Sequence, residues 1–235
     1  MQPLSGHHNP DHPADWPTPN AVLPDIFTLP VDPKTAGGAA YFIVENSGQN
    51  IIVDCPLWTE ELEQFLTAQG GVAALFITHR DAIAPSLGHI QQRFHCSVVI
   101  QEQEAYLIPE RSVTPFQDDY RLSPDLLAFW TPGYSPGSSC LYFEQYGGVL
   151  FTGRHLLPVA TNAIAPLRRP KTFHWFRQLA SVAKLRDRFT PETLHYLCPG
   201  ANTRYLGETG IIANVYPHLA ALDLDDLRRQ VAIAP

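Results

Sequence analysis

Thr131-Pro132-Gly133-Tyr134-Ser135-Pro136-Gly137-Ser138 orders the rest of this chain. Within it, residues 133–137 match Gly-x-Ser-x-Gly, the pattern of a serine nucleophile elbow. The chemistry argues against that role. Such an elbow builds its oxyanion hole from the backbone N–H of the residue after the serine, and Pro136 has none. An elbow also joins a strand to a helix, whereas Ser138 leads into the apolar run Cys140-Leu141-Tyr142-Phe143, which reads as a strand.

Outward from that stretch the chain reads as short strands and helices. On its N-terminal side lies Leu126-Leu127-Ala128-Phe129-Trp130, and beyond it Val149-Leu150-Phe151-Thr152, joined to the preceding strand through Gly147-Gly148. Earlier, Ile26-Phe27-Thr28-Leu29, Ala40-Tyr41-Phe42-Ile43-Val44 and Ile51-Ile52-Val53-Asp54 read as strands, the last two forming a hairpin across residues 46–50. Leu62, Phe65, Leu66 and Gln69 follow helical spacing behind Thr59, a good N-cap. The apolar run Ala73–Ile77 predicts a buried strand that delivers Thr78 and His79 at its C-terminal end. A helix over 87–94 and a strand over 97–100 follow. Near the C-terminus, a helix from about Thr172 to Phe189 carries Phe176, Leu179, Ala180 and Ala183 on one face, before a strand at 194–198 and a helical end. Trp130, Phe129, Trp175 and Phe176 are expected in the core between sheet and helix.

The 235 residues, 45% apolar and 17% charged, suit one domain with a sizeable core. Residues 1–24, rich in Pro, His, Asp and Asn, read as a flexible N-terminal arm, and 25–235 as the domain. His7, His8 and His12 in that arm lack the fixed geometry of a metal site. Sixteen Lys and Arg against 23 Asp and Glu give a net charge of −7, which disfavours nucleic acid and anionic membrane as partners. The basic run Leu167-Arg168-Arg169-Pro170-Lys171 is expected to be a solvated loop. No apolar stretch is long enough to span a bilayer and the N-terminus has no signal-peptide pattern, so a cytoplasmic protein is expected. Cys55, Cys96, Cys140 and Cys198 are scattered without a CxxC pair and read as reduced, buried thiols.

Five landmarks, in order, resemble the metallo-β-lactamase superfamily over about residues 39–207. Ile51-Ile52-Val53-Asp54-Cys55 is similar to its LIDTG strand and Ile77-Thr78-His79-Arg80-Asp81 to the start of its THxHxDH loop. The quoted stretch is similar to TPGHTPGS, Val149-Leu150-Phe151-Thr152-Gly153-Arg154 to LFTGD, and Cys198-Pro199-Gly200-Ala201-Asn202 to PGHG. The resemblance implies an α/β fold, the αββα sandwich of metallo-β-lactamase type, with two mixed sheets flanked by helices.

It also implies a dinuclear zinc or iron centre that lowers the pKa of a bound water. Position by position, this chain departs from the ligand set. His79 fits the first histidine, while Asp81, Ile83, Ala84, Tyr134, Arg154 and Ala201 stand at six positions where the family has ligands. Tyr134 fills the space of a histidine without its readily offered nitrogen lone pair. Arg154 stands where the bridging aspartate belongs, and a guanidinium carries fixed positive charge with no lone pair. An Asp81–Arg154 ion pair is expected to occupy the emptied space, with Asp54 in a supporting role.

The cleft residues are thus Asp54, His79, Asp81, Tyr134, Arg154, Ala201 and Asn202, with no cofactor favoured. The expectation is a binding or regulatory protein that takes a small molecule or a protein partner. The alternative is a hydrolase of ester, thioester or phosphoester bonds with zinc, iron or manganese held by His79, Asp81, His89 and His155.

Overall fold

The computed structural model describes residues 18–35, 38–109 and 112–232. The first sheet runs β1 (Asn20–Leu23), β2 (Ile26–Asp32), β3 (Gly38–Ile43), β4 (Ile51–Val53), β5 (Ala74–Ile77), β6 (Ser97–Gln101) and β7 (Val113–Phe116), in that spatial order. Pairing is antiparallel through β4 and parallel from β4 to β7. Parallel neighbours need crossovers. Two of these carry helices, α1 (Glu60–Ala68) and α2 (Ser86–Phe94), and a short α3 (Glu102–Ala105) follows β6. Thr59 caps α1 as its position predicts, its Oγ1 accepting from the Leu62 N–H at 3.2 Å.

The second sheet contains β8 (Asp119–Ser123), β9 (Leu126–Trp130), β10 (Ser139–Phe143) and β11 (Val149–Gly153). After the small hairpin β12 (Leu157–Ala160) and β13 (Ala163–Ala165), it is completed by β14 (Tyr196–Pro199) and β15 (Ile212–Ala213). Its order is β15-β14-β11-β10-β9-β8, with β11 and β14 parallel. Helix α4 (Trp175–Arg188) covers its outer face, and α5 (Tyr216–Ala220) and α6 (Leu224–Arg229) follow.

Strand alternation explains why four layers form. In β4, Ile52 points to α1 and α2 beside Leu62, Leu66, Leu75 and Ile90, whereas Ile51 and Val53 point inward to the second sheet. The inner layer meets Leu141, Phe143, Val149 and Phe151, and the outer face of the second sheet packs Cys140, Leu150 and Leu197 under Val182 and Leu185 of α4. Both faces of each sheet are therefore apolar, as a sheet between two layers requires. Burying Leu62 or Leu66 completely contributes roughly 2 kcal/mol each.

Several expectations change. Residues 1–17 lie outside the described residues, and with them His7, His8 and His12, but the arm expected to reach residue 24 already pairs with β2 from Asn20. The buried face of α4 is Trp175, Gln178, Leu179, Ser181, Val182 and Leu185, so Phe176, 58% exposed, leaves the core and Ala180 faces outward. Phe129 and Trp175 are buried as expected, and all four cysteines are free and buried. Among the described residues no helix is long and apolar enough to cross a membrane.

Candidate functional site

The C-terminal ends of β4, β5, β9, β11 and β14 each deliver one of the expected cleft residues or segments, the place where open α/β sheets present ligand-binding groups. After β4, Asp54 adopts a left-handed φ of 62° and turns its carboxylate onto β5. Its Oδ1 accepts from the Thr78 backbone N–H at 2.8 Å, and both oxygens accept from Thr78 Oγ1 at 2.9 and 2.7 Å. Burial pushes this carboxyl up to about 7, against the Thr78 hydrogen bonds and the charge of Arg154. Asp54 therefore supports the site from beneath. Thr78→Val removes the hydroxyl donor from that buried carboxyl and is expected to cost about 1.5 kcal/mol in chemical denaturation, while Thr78→Ser is expected to stay within a few tenths of the parent.

His79 is buried, its ring 5.0 Å from that of Tyr134, and neither ring nitrogen has a partner among the described residues. Burial, with the Arg154 charge behind it, pushes the imidazole down to about 4, so it is neutral near pH 7. The Tyr134 phenol donates to Asp81 Oδ2 at 2.5 Å, joining the loop after β9 to the short 3-10 turn after β5. Burial would raise the Asp81 carboxyl, but the Tyr134 hydrogen bond and the nearby Lys171 and Arg154 charges carry it below its usual range. Burial and the Asp81 carboxylate push the phenol up to about 12, so it remains a donor.

Arg154 follows β11. Its Nη2 donates to the Thr35 carbonyl at 3.1 Å, and its guanidinium carbon lies 6.0 Å from the Tyr134 ring centre. The ion pair expected between Asp81 and Arg154 gives way to a charge-assisted hydrogen bond from Tyr134, with Arg154 acting on Asp81 through its field. After β14, Gly200 packs its Cα against the Gly153 backbone, Ala201 is buried, and Asn202 takes a left-handed φ of 60°. Asn202 Nδ2 donates to the Pro158 carbonyl at 3.0 Å and its Oδ1 accepts from Arg169 Nη2 at 3.5 Å.

The structure thus gathers Asp54, His79, Asp81, Tyr134 and Arg154, with Ala201 and Asn202 on the adjoining strand end. Among the described residues no group of three or more His, Cys, Asp or Glu side chains is placed to hold a metal ion, so His79, Asp81, His89 and His155 are not assembled as ligands. His89 lies on α2, its ring 6.3 Å from that of Trp58, and lines a surface groove of about 660 Å³ with Pro85, Gln92 and His95. His155 is enclosed behind the strand end, where its carbonyl accepts from Gln178 Nε2 at 2.9 Å. The donor set fits a dinuclear centre poorly: one imidazole, one carboxylate turned onto Thr78, a second held by a phenol, and a guanidinium.

Three contributors escaped the sequence reading. Thr78 holds Asp54. Glu104, buried under Gly137, has a carboxylate without a partner among the described residues. The run expected to be a solvated loop is solvated at Pro170 and Lys171, with Arg168 and Arg169 half-buried, and just after it Phe173 N donates to the Tyr134 carbonyl and His174 N to the Gly133 carbonyl, each at 2.9 Å.

Two mixed sheets face to face with helices outside make the metallo-β-lactamase type of sandwich, and this chain has that fold. The DIM-1 metallo-β-lactamase is similar over 88% of this chain and 96% of its own, with a TM-score of 0.67 and 13% identity. An archaeal metallo-β-lactamase superfamily protein from Sulfolobus tokodaii is similar over 83% and 84%, with a TM-score of 0.58 and 13% identity. A protein solved in a di-iron-bound form is similar over 75% and 92%, with a TM-score of 0.61 and 18% identity. At such identities the likeness defines the fold alone. No protein-family model matches the sequence, and no match was found among curated proteins.

Proposed function

We propose that this chain is a metallo-β-lactamase-fold protein that has lost the dinuclear centre and works as a binding or regulatory protein through the former metal cleft. The observation that carries this is the Tyr134 to Asp81 hydrogen bond, 2.5 Å long, beside the guanidinium of Arg154. Those three side chains stand at positions where the family places metal ligands. A phenol held on a carboxylate satisfies the acid that would otherwise need a cation, and a neighbouring fixed positive charge opposes the entry of two dications. Neutral His79 alone does not offset that repulsion.

Elemental analysis of untagged protein, purified without added metal and dialysed, is expected to find zinc, iron and manganese well below one ion per chain. The parent and the double variant Tyr134→His with Arg154→Asp are both expected to leave generic ester and phosphodiester substrates intact. Stoichiometric metal that survives dialysis, together with turnover that a chelator stops, overturns the proposal.

A further inference from the structure

We propose that the segment from Arg168 to Arg177 is an interfacial docking surface for a bilayer that bears anionic phospholipids. The inference goes beyond the cleft and does not rest on its proposed role. A net charge of −7 disfavours such a partner for the chain as a whole, but the charge is distributed unevenly. Residues 145–186 hold seven of the 16 Lys and Arg and none of the 23 Asp and Glu. Four of those seven, Arg168, Arg169, Lys171 and Arg177, fall within ten residues. Beside them α6, whose Leu227 carbonyl accepts from Trp175 Nε1, pairs Asp225 with Arg228 and Asp226 with Arg229. At contact range such a patch outweighs distant charges of opposite sign, because screening confines their fields to about 8 Å in physiological salt.

Apolar groups accompany the cations. Phe173 is 48% and Phe176 58% exposed, and each ring lies 6.4 Å from that of His174, so the three make one aromatic patch. The segment that bears them is fixed. Thr172 N donates to the Arg169 carbonyl and Arg169 N to Thr172 Oγ1, each at 2.9 Å, which closes a turn around Pro170 and Lys171. Phe173 N and His174 N then bond to the Tyr134 loop, and His174 Nδ1 caps α4 by accepting from Arg177 N at 3.2 Å. Arg177 in turn lies over the Trp130 ring, 5.3 Å from its centre. Phenyl rings already held in place lose little freedom on entering a lipid interface. Both stand out from the surface, which suits a fluid interface that closes around them, whereas a polypeptide partner calls for a groove or a sheet edge. Anionic headgroups then meet Lys171 and Arg177, both exposed.

In flotation, the untagged full chain is expected to rise with vesicles of equal parts phosphatidylcholine and phosphatidylglycerol, to stay behind with phosphatidylcholine alone, and to detach as sodium chloride is raised. Lys171→Gln is expected to weaken partitioning about fivefold and Phe176→Ser about tenfold. Both side chains are exposed, so both variants are expected to keep the parent's urea midpoint. Phe173→Ser, which removes the other ring of the patch, takes the place of Phe176→Ser if that variant loses its midpoint. No flotation with the anionic vesicles, equal flotation with both lipids, or unchanged partitioning in the phenylalanine variant overturns the proposal. Poly-glutamate or duplex DNA that binds as tightly as the vesicles, with no effect of removing the phenyl ring, overturns it in favour of a soluble polyanion.

Discussion

Gly133→Ala is expected to destabilise the protein by about 3 kcal/mol or more, the sum of overpacking and backbone strain. Gly133 has a φ of 148°, and a Cβ there would sit 2.3 Å from the Gln178 Cα. The obstacle is helix backbone, so no rotamer change relieves it. Either α4 moves off the second sheet, uncovering Val182 and Leu185, or the loop lifts and breaks the hydrogen bond from His174 N to the Gly133 carbonyl. In both cases Tyr134 shifts relative to Asp81. Urea denaturation measures the loss, and a value under about 1 kcal/mol shows that the close approach is not maintained in solution. Gly48, with a φ of 77° and nothing near its missing Cβ, is the control: Gly48→Ala carries backbone strain without a clash and is expected to cost less.

His155 produces the second large effect. Burial alone pushes its imidazole down to about 3, and neither ring nitrogen has a partner among the described residues. An unfolded histidine titrates near 6.5, so the unfolded chain binds the proton more tightly. The stability carried by the neutral form is complete above about pH 6.5 and is lost as pH falls toward 3. Between pH 7 and pH 4 the parent is expected to lose about 3 kcal/mol more than His155→Leu, which has nothing to protonate and fills similar space. Comparing the two cancels the contributions of other groups. His79, pushed down to about 4, acts in the same direction, and Asp54, raised to about 7, acts against it, because its proton is held more tightly in the fold. Parallel stability curves for the parent and His155→Leu across that window would show that His155 is not buried neutral.

Strands that are apolar on both faces were the most legible parts of the sequence, because a run such as Ala73–Ile77 has few alternatives once helices cover it. The edges were harder to read. β8 alternates exposed and half-buried residues, and β7 contains Pro115, which sequence patterns disfavour in strands. In α4 the buried face includes Gln178 and Ser181, whose polar atoms donate to the carbonyls of His155 and Pro132, so apolar periodicity found Leu179 but placed the face too far toward Phe176 and Ala180. The cleft positions were recognisable by their motifs. Their partners were not, because Tyr134 meets Asp81 across 53 residues and Thr78 meets Asp54 across 24. Such pairings depend on sheet packing, which no local pattern encodes.

The phenol on Asp81 has a consequence for how the halves of the molecule stay together. It reaches from a loop of one sheet to a turn of the other, and the Tyr41 hydroxyl, donating to the Pro199 carbonyl at 2.9 Å, spans the same gap nearby. Two side-chain hydrogen bonds thus clasp one sheet to the other. Two fastenings side by side oppose sliding of one sheet over the other.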